Sequence, residues 1–194
     1  MVYVKWVFIT LFWAVVAAFL HYTLPQTDIA RVIDTYERRV DFGENSWFWS
    51  GADTGEATTG ANRDVFFIQT RRANGSVMDY RNEDTGWGWP PYFKFDTSNL
   101  QAEAADLRST SESPRWVAIK HYGWRNEFIS IYPNAISIRA VDGPDVTIIP
   151  WLNIVILTTL FGTIWAIWVR WRRFRENRLD PLFERIGDRI AGVR

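Results

Sequence analysis

Few residues of this chain could do acid, base or nucleophilic chemistry. It has two histidines, His21 and His121, and no cysteine. His121 lies among aromatic and β-branched residues, and the sequence contains no Gly-x-Ser-x-Gly nucleophile motif. We therefore interpret His121 as a structural or surface residue. His21 follows a long apolar run, and we interpret it as an anchor at a membrane interface rather than a proton carrier.

Two adjacent carboxylates, Glu83 and Asp84, are the other chemical candidates, because paired carboxylates can act as acid and base when their environments separate their pKa values. Adjacent residues of a strand point to opposite faces, so we expect these two to be held with Arg81 in a hydrogen-bonded loop instead. A zinc site would need several carboxylates beside the histidines, and no phosphate-binding glycine loop or dinucleotide fingerprint is present. The sequence thus predicts no enzyme activity, no metal and no cofactor.

Two long uncharged runs are the main elements of the chain. No Asp, Glu, Lys or Arg occurs from Trp6 to Thr27 or from Val146 to Val169. At ~1.5 Å per residue, each run is long enough as a helix to cross a hydrocarbon core of ~30 Å. Pro25 ends the first run. Three tryptophans close the second run, as in an interfacial aromatic belt: Trp165, Trp168 and Trp171. Both runs are predicted to be transmembrane helices.

Each run has an alternative interpretation. The first could be a cleaved signal peptide, since Val16, Ala17 and Ala18 resemble the small residues before a cut, although that cut would fall inside the apolar run. The second could be a buried core helix, although core helices seldom stay uncharged on every face for so long.

Charge beside the second run predicts the orientation. Five arginines follow it closely: Arg170, Arg172, Arg173, Arg175 and Arg178. The positive-inside rule places this carboxyl tail in the cytoplasm, and two spans then place the amino terminus there too. The same arginines are predicted to contact anionic membrane lipids. Since topology explains them, we expect no nucleic acid partner.

The residues between the runs are predicted to form a mainly antiparallel β domain. A β-rich segment precedes Asn74-Gly75 and another follows it, which indicates a hairpin with either a tight turn or a longer loop. Residues 115–122 alternate as a strand, and residues 127–141 predict two short strands about a turn at Pro133-Asn134.

One short helix is predicted among these strands. Ser98 is expected to cap it, with Gln101 as the capping-box partner. Leu100, Ala104 and Leu107 then share a face. Residues 28–40 fit either a helical stripe or a strand, and their β-branched and aromatic content favours the strand.

The organisation predicted from these patterns is an α+β membrane protein, in which two transmembrane helices flank a mainly antiparallel β domain with one short helix. The first transmembrane helix covers residues 1–24 and the exported β-rich domain covers residues 25–145. The second transmembrane helix covers residues 146–169, and a basic cytoplasmic amphipathic tail covers residues 170–194.

The exported domain is rich in aromatic residues that could form its core or bind a partner. The pairs Trp47/Trp49 and Trp87/Trp89 have a spacing of two, so in an extended segment both members of a pair face the same way. Packing is the favoured interpretation, and Pro90-Pro91 is expected to bend two aromatic segments onto one core. The candidates for partner binding are Trp47, Trp49, Trp87, Trp89, Tyr92, Phe93, Tyr122 and Trp124.

Three segments resemble a known family: "ENSWFWSGADTG", "YRNEDTGWGWPPYFKFDTSNLQAEA" and "HYGWRNEFISIYPNA". They are similar to a family of bacterial envelope proteins called domain of unknown function family 1523, and the resemblance covers most of the chain. It implies an alphaproteobacterial inner-membrane protein with a periplasmic domain. The family has no assigned catalytic residues, so none is transferred here.

These observations together predict a non-enzymatic inner-membrane protein whose termini are cytoplasmic and whose central domain is periplasmic. We expect this domain to bind protein, as an accessory or assembly subunit of a larger membrane complex. Its expected partners are membrane lipids and other integral membrane proteins. The alternative is a sensor or binding module for a periplasmic glycan or lipid.

Overall fold

A computed structural model describes residues 2–40, 63–110, 112–190 and 192. Within it the chain divides into two compact units, Met1–Ile149 and Pro150–Arg194. The first contains an apolar helix and a β-rich domain, and the second is helical. The prediction of an α+β chain with two apolar helices and a β-rich domain is confirmed.

The first helix, α1, spans Val2–Thr23. Within Tyr3–Thr23, an 18-residue stretch has a mean hydropathy of 1.9, and none of it is buried. The helix ends where Pro25 lacks an N–H group for another turn. In the last turn the Thr23 hydroxyl donates to the carbonyl of Phe19, at 2.9 Å.

Five strands form a closed barrel in the order β1-β2-β3-β5-β4. They are β1 (Gln26–Val40), β2 (Arg63–Arg72), β3 (Val77–Asn82), β4 (Trp116–Tyr122) and β5 (Asn134–Val141). The long β1 pairs with both β2 and β4, and all neighbours are antiparallel except β3 and β5, which meet at the single pair Arg81↔Asn134. A helix lies between β3 and β4 in the chain.

The helix between β3 and β4 is α2 (Thr97–Asp106), and it covers one opening of the barrel. Leu100 and Ala104 are buried on its inner face, and Leu107 packs beside them, as predicted. They join a core built from alternate strand residues: Val32, Ile68, Tyr80, Val117, Ile119, Ala135 and Ile138.

Two sequence predictions about local structure are confirmed. Residues 28–40 belong to a strand rather than a helix. The hairpin around Asn74-Gly75 forms with the longer of the two loops, since the Arg72 N–H donates to the Ser76 carbonyl at 2.9 Å and leaves three residues at the tip. Gly75 takes a φ of 84°, the left-handed conformation that this loop requires.

Two other predictions about local structure are wrong. Ser98 is not the cap of α2: the cap is Asp96, two residues earlier, whose carboxylate accepts the Asn99 N–H at 3.2 Å. An aspartate caps a helix as well as a serine does. Of the two strands predicted about Pro133-Asn134, only the second forms, and Asn134 is its first residue rather than part of a turn.

The second apolar helix differs from its predicted bounds of 146–169. Helix α3 spans Trp151–Phe174, begins after Pro150, and continues through a π-helical turn at Arg175–Leu179 into α4 (Asp180–Ile190). Arginine is a good helix former, so the basic tail prolongs the helix. Within Trp151–Phe183, an 18-residue stretch has a mean hydropathy of 1.9, and none of it is buried. Both apolar helices are compatible with a membrane protein.

Candidate functional site

Three exposed aromatic side chains of the barrel form a cluster on the loop between β3 and α2. Trp87 lies 5.4 Å from Phe93 and 5.6 Å from Phe95, measured between ring centroids. Their side chains are 81%, 52% and 55% exposed. We call Trp87, Phe93 and Phe95 the aromatic patch. The favoured prediction, that this segment packs into the core, is wrong for these three residues.

The loop that carries the aromatic patch is fixed by hydrogen bonds between its two ends. The N–H groups of Thr85 and Gly86 both donate to the Lys94 carbonyl at 3.1 Å, and the Lys94 N–H donates to the Thr85 hydroxyl at 3.1 Å. Phe93 has a φ of 50°, which is unusual for a bulky residue and costs about 1 kcal/mol or more. The loop therefore holds the patch in a defined, strained conformation.

Lys94 ties this loop to the interior of the barrel. Its ammonium donates to the Asn82 side chain, to the Glu83 carbonyl at 3.1 Å and to the Ala135 carbonyl at 2.9 Å. The side chain is almost wholly buried. Burial lowers the pKa of Lys94 to about 7, against the opposing effect of the Asp84 and Glu83 charges.

A second set of buried polar groups joins β3 to β5 where these strands share one backbone pair. Asn134 accepts the Glu83 N–H at 2.9 Å and donates to the Glu83 carbonyl at 3.0 Å, so its amide replaces ladder hydrogen bonds. The carboxylate of Glu83 pairs with Arg81 at 3.0 Å, and both are buried. Thr97 donates to Asp84 at 2.6 Å. Arg81 therefore pairs with Glu83 as expected from the sequence, while Asp84 is held by Thr97 of α2.

The barrel is fastened to the end of α1 by backbone and side-chain contacts. The Gly123 N–H donates to the Tyr22 carbonyl at 2.9 Å, and the Tyr92 hydroxyl donates to the Thr23 carbonyl. Tyr92 also stacks on Tyr122, with 5.1 Å between centroids. Burial raises the pKa of Tyr92, which keeps the phenol protonated and able to donate. These contacts leave no flexible linker between helix and barrel.

Two tryptophans complete this junction. Trp89 stacks on Phe19 of α1, with 5.7 Å between ring centroids. The Trp124 indole donates to Nδ1 of His21 at 2.8 Å. Because an indole N–H can only donate, this Nδ1 accepts and the neutral ring carries its proton on Nε2. His21 therefore has an anchoring contact at the end of α1.

Among the described residues, Asp28 lies at the centre of a group of side chains that resembles an acid–base site. Its carboxylate accepts from Tyr80 and Arg72, and lies 3.2 Å from Nε2 of His121. Burial would raise the pKa of Asp28, but the hydrogen bonds from His121 and Tyr80 and the charge on His121 lower it well below its usual range. His121 is buried against the Tyr80 ring, which fits the structural interpretation of this histidine.

The predicted partner-binding residues thus separate into distinct places. Trp87 and Phe93 lie on the aromatic patch, whereas Trp89, Tyr92, Tyr122 and Trp124 lie at the junction with α1, where Tyr122 is buried. Trp47 and Trp49 lie outside the described residues. Lys94 and Asn134 were not among the predicted site residues, because a lone lysine or asparagine near a turn resembles a solvated residue.

The tail arginines lie on the exposed surface of the second unit. Arg172 pairs with Glu176 at 2.8 Å and lies over the Trp168 ring at 5.9 Å. Arg175 lies 3.8 Å from Asp180. The remaining members of the predicted membrane-surface set, Arg170, Arg173 and Arg178, are on the same helical segment.

A shallow pocket lies next to the patch. It has a volume of about 340 Å³ and is bounded by the patch residues Phe93 and Phe95 and by α2. Its polar lining includes Asp96, Asn99 and Glu103. The patch therefore borders an acidic rim.

Comparisons with known proteins identify a family. A family model described as protein of unknown function (DUF1523) matches residues 1–175, which include α1, the barrel and α3. An uncharacterised protein of Haemophilus influenzae is 38% identical over 163 residues, covering 82% of this chain and 88% of that protein. No solved structure matches the chain.

Proposed function

We propose that this chain, which belongs to the DUF1523 family, is a non-enzymatic protein of the bacterial inner membrane that binds another integral membrane protein. In this proposal α1 and α3 cross the bilayer, both termini are cytoplasmic and the barrel is periplasmic. The role that fits such a protein is that of an accessory or assembly subunit in a larger complex.

The distribution of charge supports this orientation. The arginines that follow the apolar part of α3 would be retained in the cytoplasm, where they can also bind anionic lipid headgroups at about 1 kcal/mol for each well-placed residue. With two spans, the end of α1 at Thr23 then faces the periplasm, and β1 begins there at Gln26.

The aromatic patch is the observation that carries the proposal. Three rings exposed by half or more present roughly 400 Å² of aromatic surface. An area of this size matches the largest apolar patch of a typical monomeric protein, and such patches are often functional. Tryptophan is enriched among residues that dominate interface energies, so Trp87, the most exposed of the three, is the expected anchor.

The rigidity of the patch and its surroundings favour protein as the occupant. The loop is already ordered by Lys94 and Thr85, so little conformational entropy is lost on binding. The acidic groups Asp96 and Glu103 border it, which fits a partner with an apolar segment flanked by basic residues.

The Asp28 group supports a structural rather than a catalytic role for this fold. Its three described partners each hold the same carboxylate, and His121 is enclosed against Tyr80. Paired in this way, the Asp28 carboxylate ties β1 to β2, β3 and β4.

A photocrosslinking experiment in intact membranes tests the proposal. A benzophenone amino acid replaces Trp87 in the full chain, and in a matched variant it replaces Val77, which is also exposed but lies at the other end of β3. We expect one discrete protein adduct from position 87 and none from position 77.

Two results would count against this role. One is the absence of any protein adduct at position 87 in a variant whose melting temperature matches the wild type. The other is a solitary monomer in mild detergent that is stabilised by a small ligand.

A glycan-binding module is the second candidate, because the pocket combines the rings of Phe93 and Phe95 with the amide of Asn99. Aromatic faces and amides are groups that can pack on and hydrogen-bond to sugars. Saturable stabilisation of the wild type by an oligosaccharide, lost in Phe95→Ser, would favour this candidate over protein binding.

A further inference from the structure

Apolar side chains outside the aromatic patch are exposed at the end of the barrel that meets α1. Trp89 is 67% exposed and Trp124 is 39% exposed. Phe128 is 100% exposed, and Ile129, its neighbour, is 40% exposed. We call Trp89, Trp124, Phe128 and Ile129 the seat residues.

Two seat residues contact the last turns of α1 directly. Trp89 stacks on Phe19, and Trp124 contacts both His21 and the Tyr22 ring, the latter at 5.3 Å between centroids. They are therefore level with the end of the helix. The apolar surface of α1 continues without a break onto the barrel at Trp89.

The length of α1 sets the depth of this contact. Its apolar segment of 21 residues is ~31 Å long as a helix, about equal to a hydrocarbon core of ~30 Å. The helix therefore does not extend beyond the hydrocarbon core by a full turn. Phe19, four residues before Thr23, lies ~6 Å from the end of the helix. A ring stacked on Phe19 lies at the boundary between the acyl chains and the headgroups, where tryptophan is enriched.

The other two seat residues lie on a rigid hairpin that follows Trp124. Asn126 and Ile131 exchange backbone hydrogen bonds at 3.0 and 2.9 Å, and the Asn126 side chain accepts the Phe128 N–H at 3.0 Å. The Arg125 guanidinium donates to the carbonyls of Asn126 and Ile131, both at 3.0 Å. The tip is thus fixed by hydrogen bonds, and Phe128 contributes nothing to the core.

The hairpin tip is tied to the end of α1 through Trp124. Three residues separate Phe128 from Trp124, so at ~3.6 Å per residue their Cα atoms cannot be more than ~14 Å apart. The headgroup region on one side of a bilayer is about 5–8 Å thick. A fully exposed phenylalanine at this distance from α1 can be covered by lipid.

We propose that the seat residues insert into the outer leaflet beside α1 and hold the barrel against the lipid surface. The occupant of this surface is the boundary between lipid headgroups and acyl chains. The proposal rests on the proposed membrane placement of α1, and it does not depend on the partner of the aromatic patch.

Site-directed labelling tests the proposal without background, because the chain contains no cysteine. Spin labels are attached at Trp89→Cys, Phe128→Cys, Trp13→Cys and Val77→Cys in the full chain, reconstituted in phosphatidylethanolamine–phosphatidylglycerol vesicles. Their depth is read from relaxation by oxygen, which concentrates in the membrane, relative to a water-soluble nickel complex. Val77 is the aqueous control and Trp13 reports whether α1 spans.

We expect the label at position 13 to lie in the middle of the bilayer, the labels at positions 89 and 128 to lie at the interface, and the label at position 77 to be in water. A label in the middle of the bilayer at position 13 with labels in water at positions 89 and 128 would contradict only the proposal about the seat residues. An aqueous reading at Trp13 would overturn the membrane placement and the seat with it. Melting temperatures of the labelled variants that match the wild type exclude misfolding as the cause.

Discussion

Lys94 allows a quantitative prediction about stability and pH. Burial lowers the pKa of Lys94 to about 7 in the folded chain, whereas an unfolded lysine keeps a pKa of about 10.4. Between these values the unfolded state binds a proton that the folded state does not bind. Stability should therefore rise with pH from about 7 upwards, and this contribution should be constant below 7, where lysine is charged in both states.

The size of the effect follows from the width of the interval. Each pH unit between the two pKa values changes the free energy of unfolding by about 1.4 kcal/mol, so the step from pH 7 to 9.5 should add about 3 kcal/mol. For a domain of this size that corresponds to a rise in melting temperature of roughly 10 °C.

The rise in stability with pH should end near pH 9.5, because the titration of tyrosines then lowers stability. Burial raises the pKa of Tyr36 to about 12 and also raises the pKa of Tyr80 and Tyr122. Above about pH 10 the unfolded chain loses phenolic protons that the folded chain keeps, so stability falls again.

The assay is thermal unfolding of the full chain in detergent, followed by tryptophan fluorescence, for the wild type and Lys94→Met between pH 6.5 and 9.5. Lys94→Met removes the titrating group and keeps the length of the side chain. Its free energy of unfolding should therefore rise by about 3 kcal/mol less than that of the wild type over this pH range. Groups such as the amino terminus titrate in both proteins and cancel in the difference. Parallel profiles would refute the reasoning, and would mean that the acceptors on Asn82, Glu83 and Ala135 keep the ammonium charged.

Three further substitutions test the junction and the barrel wall. Asp28→Asn should lower the free energy of unfolding by about 2 kcal/mol at pH 7, since three donors lose a charged acceptor. Because the pKa of Asp28 is lowered in the folded chain, this difference in stability from the wild type should shrink as the pH falls below about 4. Gly123→Ala should lower the free energy of unfolding by about 1–2 kcal/mol, because φ is 91° and the new Cβ would lie 3.6 Å from the Tyr22 ring. The control Gly143→Ala, whose new Cβ would have no atom within 4 Å, should be nearly neutral in the same melting assay. Tyr92→Phe should lower stability by about 1 kcal/mol, because it removes the bond to the Thr23 carbonyl and keeps the stack on Tyr122; an unchanged melting temperature would show that this bond does not fasten the barrel to α1.

The strand order of the barrel does not by itself assign a ligand, because one architecture can support unrelated functions. The proposed function rests instead on where the exposed rings lie. Trp89 and the aromatic patch share the loop between β3 and α2, whereas the other seat residues follow β4. Trp87 projects from that loop and Trp89 stacks on Phe19 of α1, so the two proposals assign them to a protein partner and to lipid respectively.

The sequence by itself determined the segments of this protein. Uncharged runs long enough to cross a bilayer identified both apolar helices, and alternation with turn residues identified most of the strands, because these patterns depend on neighbours along the chain. The quoted aromatic strings identified the family. A cap or a turn was less certain: Asp96 and Ser98 are equally good caps, and Pro133-Asn134 suits a turn as well as the start of a strand.

Only the tertiary structure decided what each aromatic and polar residue does. Trp87 and Trp89 share one motif, yet one projects from the loop and the other stacks on Phe19, because the path of the loop against α1 separates them. Lys94 and Asn134 became central only when β3 and β5 met, since their partners lie 11 to 51 positions away in the chain. Contacts over such distances depend on the closure of the barrel, and no local pattern of side chains encodes them.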